Sequence, residues 1–154
     1  MTDYGYPTGA DKIDVSWLID QLISEVPTIT YVVLVSADGL HLASAGHLDR
    51  DRAESAAALA SGFLSITGQF GHVFRLGAAP ENLSVRYPGG HLAFLRIDDQ
   101  AGQFVAALIV AATPRTQLAG LGYAMTRFSQ AVGHALTPEI RHGLHQRTLP
   151  QPAH

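Results

Sequence analysis

The 154-residue chain contains no cysteine. That excludes disulfides, thiolate nucleophiles and zinc–thiolate sites, and it fits a reducing compartment. Charge is also scarce: Asp, Glu, Lys and Arg together make up 15% of the residues, against about 25% in an average soluble domain. Hydrophobic residues make up 47%, and two explanations stand open. Either part of an apolar surface is covered by a partner, or Ala-rich helices carry a well-buried core. Lysine is nearly missing, Lys12 being the only one, and the formal net charge is −3. With no basic stripe, nucleic acid is not an expected partner. The longest apolar run, residues 104–112, is less than half of the roughly 20 residues a membrane-spanning helix needs. The opening MTDYGYPTGADK has no positive segment ahead of an apolar stretch, so no signal peptide is expected and the protein is placed in the cytoplasm.

What is present reads as one domain, residues 13–145, between flexible tails at 1–12 and 146–154. Residues 14–29 form an amphipathic helix. Val15, Leu18, Ile19, Leu22, Ile23 and Val26 recur at helical spacing, Asp14 offers a cap, and Pro27 ends the helix. Residues 32–44 carry two apolar runs around Asp38-Gly39, a tight-turn signal that predicts a hairpin with strands at 31–36 and 40–45. Residues 49–71 form a second helix, capped by Asp49 or Asp51. Its first turn is charged, and the rest is apolar on nearly its whole circumference. Ala53, Ala56, Ala57, Ala60, Leu64 and Thr67 make one stripe, and Leu59, Phe63, Ile66 and Phe70 make another. One stripe suffices to cover a sheet, so the second invites another helix. Gly62 and Gly68 each cost about 1 kcal/mol of helix propensity relative to Ala, which close backbone approach at those points would explain.

Three more strands follow, at 81–87, 91–97 and 103–112, joined by the turn Pro88-Gly89-Gly90 and the polar loop Asp98–Gly102. Thr113-Pro114 gives a helix start, and Leu118, Leu121, Met125, Phe128, Val132 and Leu136 set a three-four spacing behind it. Thr137-Pro138 repeats the signal for a short helix to about Leu144. The predicted order is α-β-β-α-β-β-β-α, an α+β fold with an antiparallel five-stranded sheet covered by helices.

No residue set for chemistry emerges. His142 and His145 share a helical spacing but lack a third metal ligand. His41, His47, His72 and His91 fall near loops and strand ends, where solvated side chains are expected. No G-x-S-x-G elbow and no phosphate-binding glycine loop occur. Gly120-x-Gly122 lies within a helix and reads as packing, Ser36 as a turn residue, the Asp98–Asp99 pair as loop solvation, and Trp17 as facing either the core or a partner, the core being the more frequent case. Neither a catalytic residue, a metal nor a cofactor is assigned.

The helix ending in Val26-Pro27, the hairpin Ser36-Ala37-Asp38-Gly39 and the sequence Asp49-Arg50-Asp51-Arg52-Ala53-Glu54 opening an Ala-rich helix, with the closing AVGHALTPEIRHGL at 131–144, together resemble the Roadblock family. The resemblance covers residues 14–144. It is strongest to the bacterial branch encoded beside Ras-like small GTPases, often in actinobacterial operons that also carry a sensor-like histidine kinase. It implies a five-stranded sheet with the first and last long helices on one face and the central helix on the other. It also implies a homodimer that pairs the central helices and joins the third strands into one sheet. That dimer offers a platform to a small GTPase, as scaffold, activator or exchange promoter; activators of this branch reshape the GTPase's own site and donate no arginine finger. On these terms Ala56, Ala57, Ala60 and Leu64 are expected to face the twin helix, Leu83, Val85 and Tyr87 to lie at the paired edge, and Arg50, Arg52 and Glu54 to contact the GTPase or to stay solvated. A histidine-kinase complex is a further expected partner, and membrane recruitment is expected only through partners. The competing reading is a small-molecule-sensing or protein-interaction module with no GTPase partner; as a sensor it predicts a monomer with an enclosed apolar pocket. A hydrolase ranks last.

Overall fold

The computed structural model describes residues 15–133 and Leu136. Eight elements follow in the order anticipated: α1 (Val15–Glu25), β1 (Ile29–Ser36), β2 (His41–Gly46), α2 (Arg50–Val73), β3 (Asn82–Tyr87), β4 (Gly90–Asp98), β5 (Phe104–Ala112) and α3 (Leu118–Gly133). The five strands form one sheet in the order β2-β1-β5-β4-β3, every neighbouring pair antiparallel. The β1–β2 hairpin and the β3-β4-β5 meander are therefore joined by β1 against β5. The two tails, the Asp14 cap, the helix expected after Thr137-Pro138, and His142 and His145 lie outside the described residues.

The first hairpin shows how local sequence sets geometry. Gly39 sits at φ +86°, a backbone region open to glycine at little cost. The Ser36 amide donates to the Leu40 carbonyl at 2.8 Å, and the Leu40 amide donates to the Ser36 Oγ at 3.0 Å. Ser36 is thus the turn residue it was read as.

Alternation along β1 divides the core in two. Val32 and Leu34 join Leu18, Ile19 and Leu22 of α1 and Leu121, Met125, Phe128 and Val132 of α3 in the main core. Val33 and Val35 face the opposite side and pack on Ala57 and Ala60 of α2. Because helices cover both faces, β1 is a continuous apolar run, as a doubly buried strand requires. Each fully buried Leu or Phe contributes roughly 1.5–3 kcal/mol of transfer free energy, so the α1/α3 side supplies most of the stability. Glu25 accepts from Arg127 at 3.1 Å and ties α1 to α3.

The structure departs from the sequence pattern at four points. Thr113-Pro114 does not start α3. The Thr113 amide is held by the Thr28 carbonyl at 2.9 Å, and the Thr116 amide donates back to the Thr113 carbonyl at 3.1 Å. The pair therefore forms a turn, locked by a Thr116–Thr28 hydroxyl bond of 2.8 Å, and the helix begins at Leu118. Leu118 itself is exposed rather than inward. His41 and His91 are buried, because their registers set them beside Val35 and Ala112, positions that helices cover. Trp17 is 44% exposed on the outer side of α1, not a core residue.

Candidate interaction surface

The sequence of α2 explains both its start and its orientation. Asp49 has extended backbone angles, and its carboxylate accepts from the Arg52 amide at 2.8 Å. This satisfies one of the unpaired donors of the first turn. Asp49→Ala is expected to cost about 1 kcal/mol of stability, measured as a lower urea midpoint at unchanged slope. Behind the cap, Ala53, Ala57 and Ala60 are buried and Ala56 is half-buried. Only short side chains let the helix sit this close to Val33 and Val35.

The outcome reverses the expected facing of the helix. Ala57 and Ala60 are already covered by the sheet of their own chain, so their side chains are not available to a twin helix, and Ala56 packs against the same cluster. Leu64 is half-buried beside Gly68 and His72. The large residues point outward instead. Leu59, Ile66, Phe70 and Val73 are 74%, 56%, 58% and 70% exposed, and Phe63 is partly so. Sequence reasoning separated the two stripes but gave no role to Val73, Phe74 and Leu76, which extend the exposed apolar surface beyond the helix end. The Phe70 and Phe74 rings stack at 6.2 Å.

Successive contacts show that α2 crosses the sheet obliquely toward β3. Ala57 and Ala60 touch β1, and Phe63 meets Phe94 of β4 edge-on at 6.4 Å. Past Phe63, Ile66, Phe70 and Val73 are exposed, while Leu64 stays half-buried. Gly68 and Gly71 let the return segment run alongside: a Cβ on either would lie 2.9 Å from the Ala78 carbonyl oxygen or 2.2 Å from that of Gly77. The close approach inferred for Gly68 is therefore within the chain. Gly62 differs, since a Cβ there would meet nothing within 4 Å.

β3 is an edge of the sheet. Leu83 pairs with Phe94, Val85 with Leu92 and Tyr87 with Gly90, so these three share the face on which α2 lies. Leu83 and Val85 are half-buried and Tyr87 is exposed. An uncovered edge strand is a template for strand pairing, and here it adjoins the outward face of α2. At the other end of the helix, Arg50 and Glu54 form an i,i+4 ion pair at 3.2 Å, and Arg52 is exposed.

On the opposite face, a cleft of about 280 Å³ lies between β3–β4 and α3, lined by Asn82, Ser84, Leu95, Leu118 and Thr126 among others. It is open to solvent and has polar lips, unlike the enclosed apolar pocket a sensing module calls for. Among the described residues no group of three or more His, Asp or Glu is placed to hold a metal ion, and no helix is long and apolar enough to cross a membrane.

Comparison with known proteins agrees with this architecture. The Roadblock/LC7 domain model matches residues 15–111. A Roadblock/LC7 domain from Streptomyces avermitilis is 33% identical, with a TM-score of 0.66 over 79% of this chain and 95% of that one. MglB of Myxococcus xanthus shares the fold at 18% identity, with a TM-score of 0.67 over 77% and 91% of the two chains. An MglB with a tetrameric arrangement does so at 13%, with a TM-score of 0.68 over 97% and 100%. No curated protein sequence matches. The protein described here therefore belongs to the Roadblock/LC7 family.

Proposed function

We propose that the protein is a non-enzymatic homodimeric platform that binds a Ras-like small GTPase and modulates its nucleotide cycle. The observation that carries this reading is the row of large apolar residues on the outward face of α2, beside the open edge of β3. A monomer that left this surface in water would expose an apolar patch of the kind that marks an interaction site. A second copy covers it with a self-complementary contact, and β3 pairing removes the exposed edge. In this assembly Leu83, Val85 and Tyr87 lie at the junction of the two sheets. The tetrameric arrangement of one MglB supports self-association as a property this fold can carry, and the resemblance to the GTPase-linked bacterial branch supports the partner.

The GTPase surface includes the charged first turn of α2. Arg50 and Glu54 hold each other, while Arg52 extends from the exposed side. The protein works in the cytoplasm, and membrane recruitment or entry into a histidine-kinase complex runs through its partners. Calorimetry with a Ras-like GTPase of the same operon, loaded with GDP or a non-hydrolysable GTP analogue, tests the reading. Binding is expected in one nucleotide state. Arg52→Glu is expected to weaken it about tenfold or more, as loss of a contact worth roughly 1.4 kcal/mol would, with the dimer intact. No binding in either state would overturn the GTPase role.

A further inference from the structure

We infer that the turn closing α2, Phe74-Arg75-Leu76, is a second contact for the GTPase and fits an apolar hollow rimmed by carboxylates on that partner. This rests on the GTPase reading proposed above and adds a site at the other end of the helix from Arg52.

The turn stops the helix in an unfavourable way. The Arg75 amide donates to the His72 carbonyl at 3.3 Å and the Leu76 amide to the Gly71 carbonyl at 2.7 Å, the paired bonds of a Schellman stop. That stop puts one residue in the left-handed region, where glycine is the usual choice. Here the residue is Arg75, at φ +57°, the only non-glycine with positive φ among the described residues. A side chain in that region strains the backbone. The stop normally also folds the following residue, here Leu76, against an apolar side chain of the last turn. The position it would meet is Gly71, where a Cβ would lie 2.2 Å from the Gly77 carbonyl oxygen. The neighbouring Phe70 ring stacks on Phe74 instead. Leu76 is left 79% exposed and Phe74 63%. Two departures from the favoured local chemistry, with no gain inside the chain, point to a role outside it.

Charge identifies the kind of partner. Between Glu54 and Glu81 the only Asp, Glu, Lys or Arg is Arg75. The turn therefore offers one fixed cation, flanked in sequence by two exposed apolar side chains. Its complement is an apolar hollow with acidic groups at the rim, since a carboxylate takes a guanidinium in paired hydrogen bonds. Arginine and aromatic residues are also the anchors that protein interfaces favour. A nucleic-acid backbone or an anionic lipid surface is held by several cations, and this turn has one. Phe74 and Leu76 follow Val73, the last helical residue, so they lie beyond the stripe assigned to the second copy. The 24 residues of α2 span about 36 Å, close to the width of a small domain, so one GTPase reaches both ends.

Calorimetry with the Ras-like GTPase of the same operon, beside thermal melts and light scattering, tests the contact. Arg75→Gly is expected to raise the Tm by about 2–4 °C as the strain is relieved, and to weaken GTPase binding at least about tenfold. A variant that is more stable yet binds less well separates recognition from a structural role. Leu76→Ser removes an exposed side chain. It is expected to keep the dimer mass and a Tm within about 2 °C of the wild type, and to weaken binding about tenfold. Wild-type binding that both variants leave unchanged would overturn the turn contact alone, with the GTPase reading intact. Failure of the wild type to bind would overturn the GTPase reading and this inference with it. A lowered Tm in Arg75→Gly would show that Arg75 serves to hold the turn, and loss of the dimer in Leu76→Ser would place the turn between the two copies. Either result contradicts the inference.

Discussion

Ala57→Glu is expected to abolish folding or lower the Tm by at least about 10 °C. Ala57 is buried between α2 and β1, against Val33 and Val35. A glutamate there has an apolar neighbourhood and a closely seated helix, so its carboxylate would be desolvated with no partner. Burying an unpaired charge costs several kcal/mol, a large part of the roughly 5–15 kcal/mol that holds a domain together. The small cluster on this face has few other contacts to absorb the insertion, and lifting α2 would also uncover Val35 and Ile109. A thermal melt followed by far-ultraviolet circular dichroism measures the effect. A Tm within about 2 °C of the wild type, under 1 kcal/mol for a chain of this length, would show that the Ala face of α2 does not bear on the sheet.

Ile66→Glu, about two and a half turns further along the same helix, is expected to do the opposite. The side chain is exposed, so the monomer loses no core contact and keeps its Tm at low concentration. In the proposed dimer the same position lies in the apolar seam, where a carboxylate from each chain would be stripped of water without a partner. Truncating a central anchor alone costs about 2 kcal/mol or more, and the two-fold axis applies the change to both chains. The dissociation constant is expected to rise by at least about 100-fold, read by sedimentation velocity over a dilution series. An unchanged dissociation constant would remove Ile66 from the interface. The two substitutions together separate the inner from the outer face of one helix, a distinction that Ala60→Glu could not make, because Ala60 lies under the helix and not on its surface.

That distinction is also where sequence reasoning ran out. The order and type of the elements were legible because each carries its own period or turn signal. Asp38-Gly39 fixes a hairpin locally, and the spacing from Leu121 to Leu136 admits only a helix with one buried stripe. Boundaries moved by one to three residues in most elements. α3 moved further because Thr113 is tied to Thr28 across the sheet, a non-local bond that no local start signal reveals. The facing of α2 was not legible, since both of its stripes are apolar and hydrophobicity alone cannot rank them. Size decides it: the Ala stripe goes inward because it permits close approach to a β-branched strand, and Leu59, Ile66 and Phe70 are left outside. Burial of His41 and His91 escaped notice for a related reason. Their positions at strand ends suggest solvent, but the covering helices come from elsewhere in the chain.

The β3 edge was placed correctly in the chain, with Leu83, Val85 and Tyr87 on one face, because alternation in a strand is a local property. That this strand is an edge depends on β1 pairing with β5, a non-local fact that the family resemblance supplied and no local pattern could. The edge and the outward α2 stripe lie on the same side of the molecule, and this coincidence is the basis for reading them as one surface.

The measurement that bears most directly on this account is the solution mass of the wild-type chain, by size exclusion with light scattering from low micromolar to several hundred micromolar. The account predicts a species of twice the 16.4 kDa chain mass that persists on dilution. A single species at the chain mass across the whole range would contradict it, and the apolar face of α2 would then belong to a different partner.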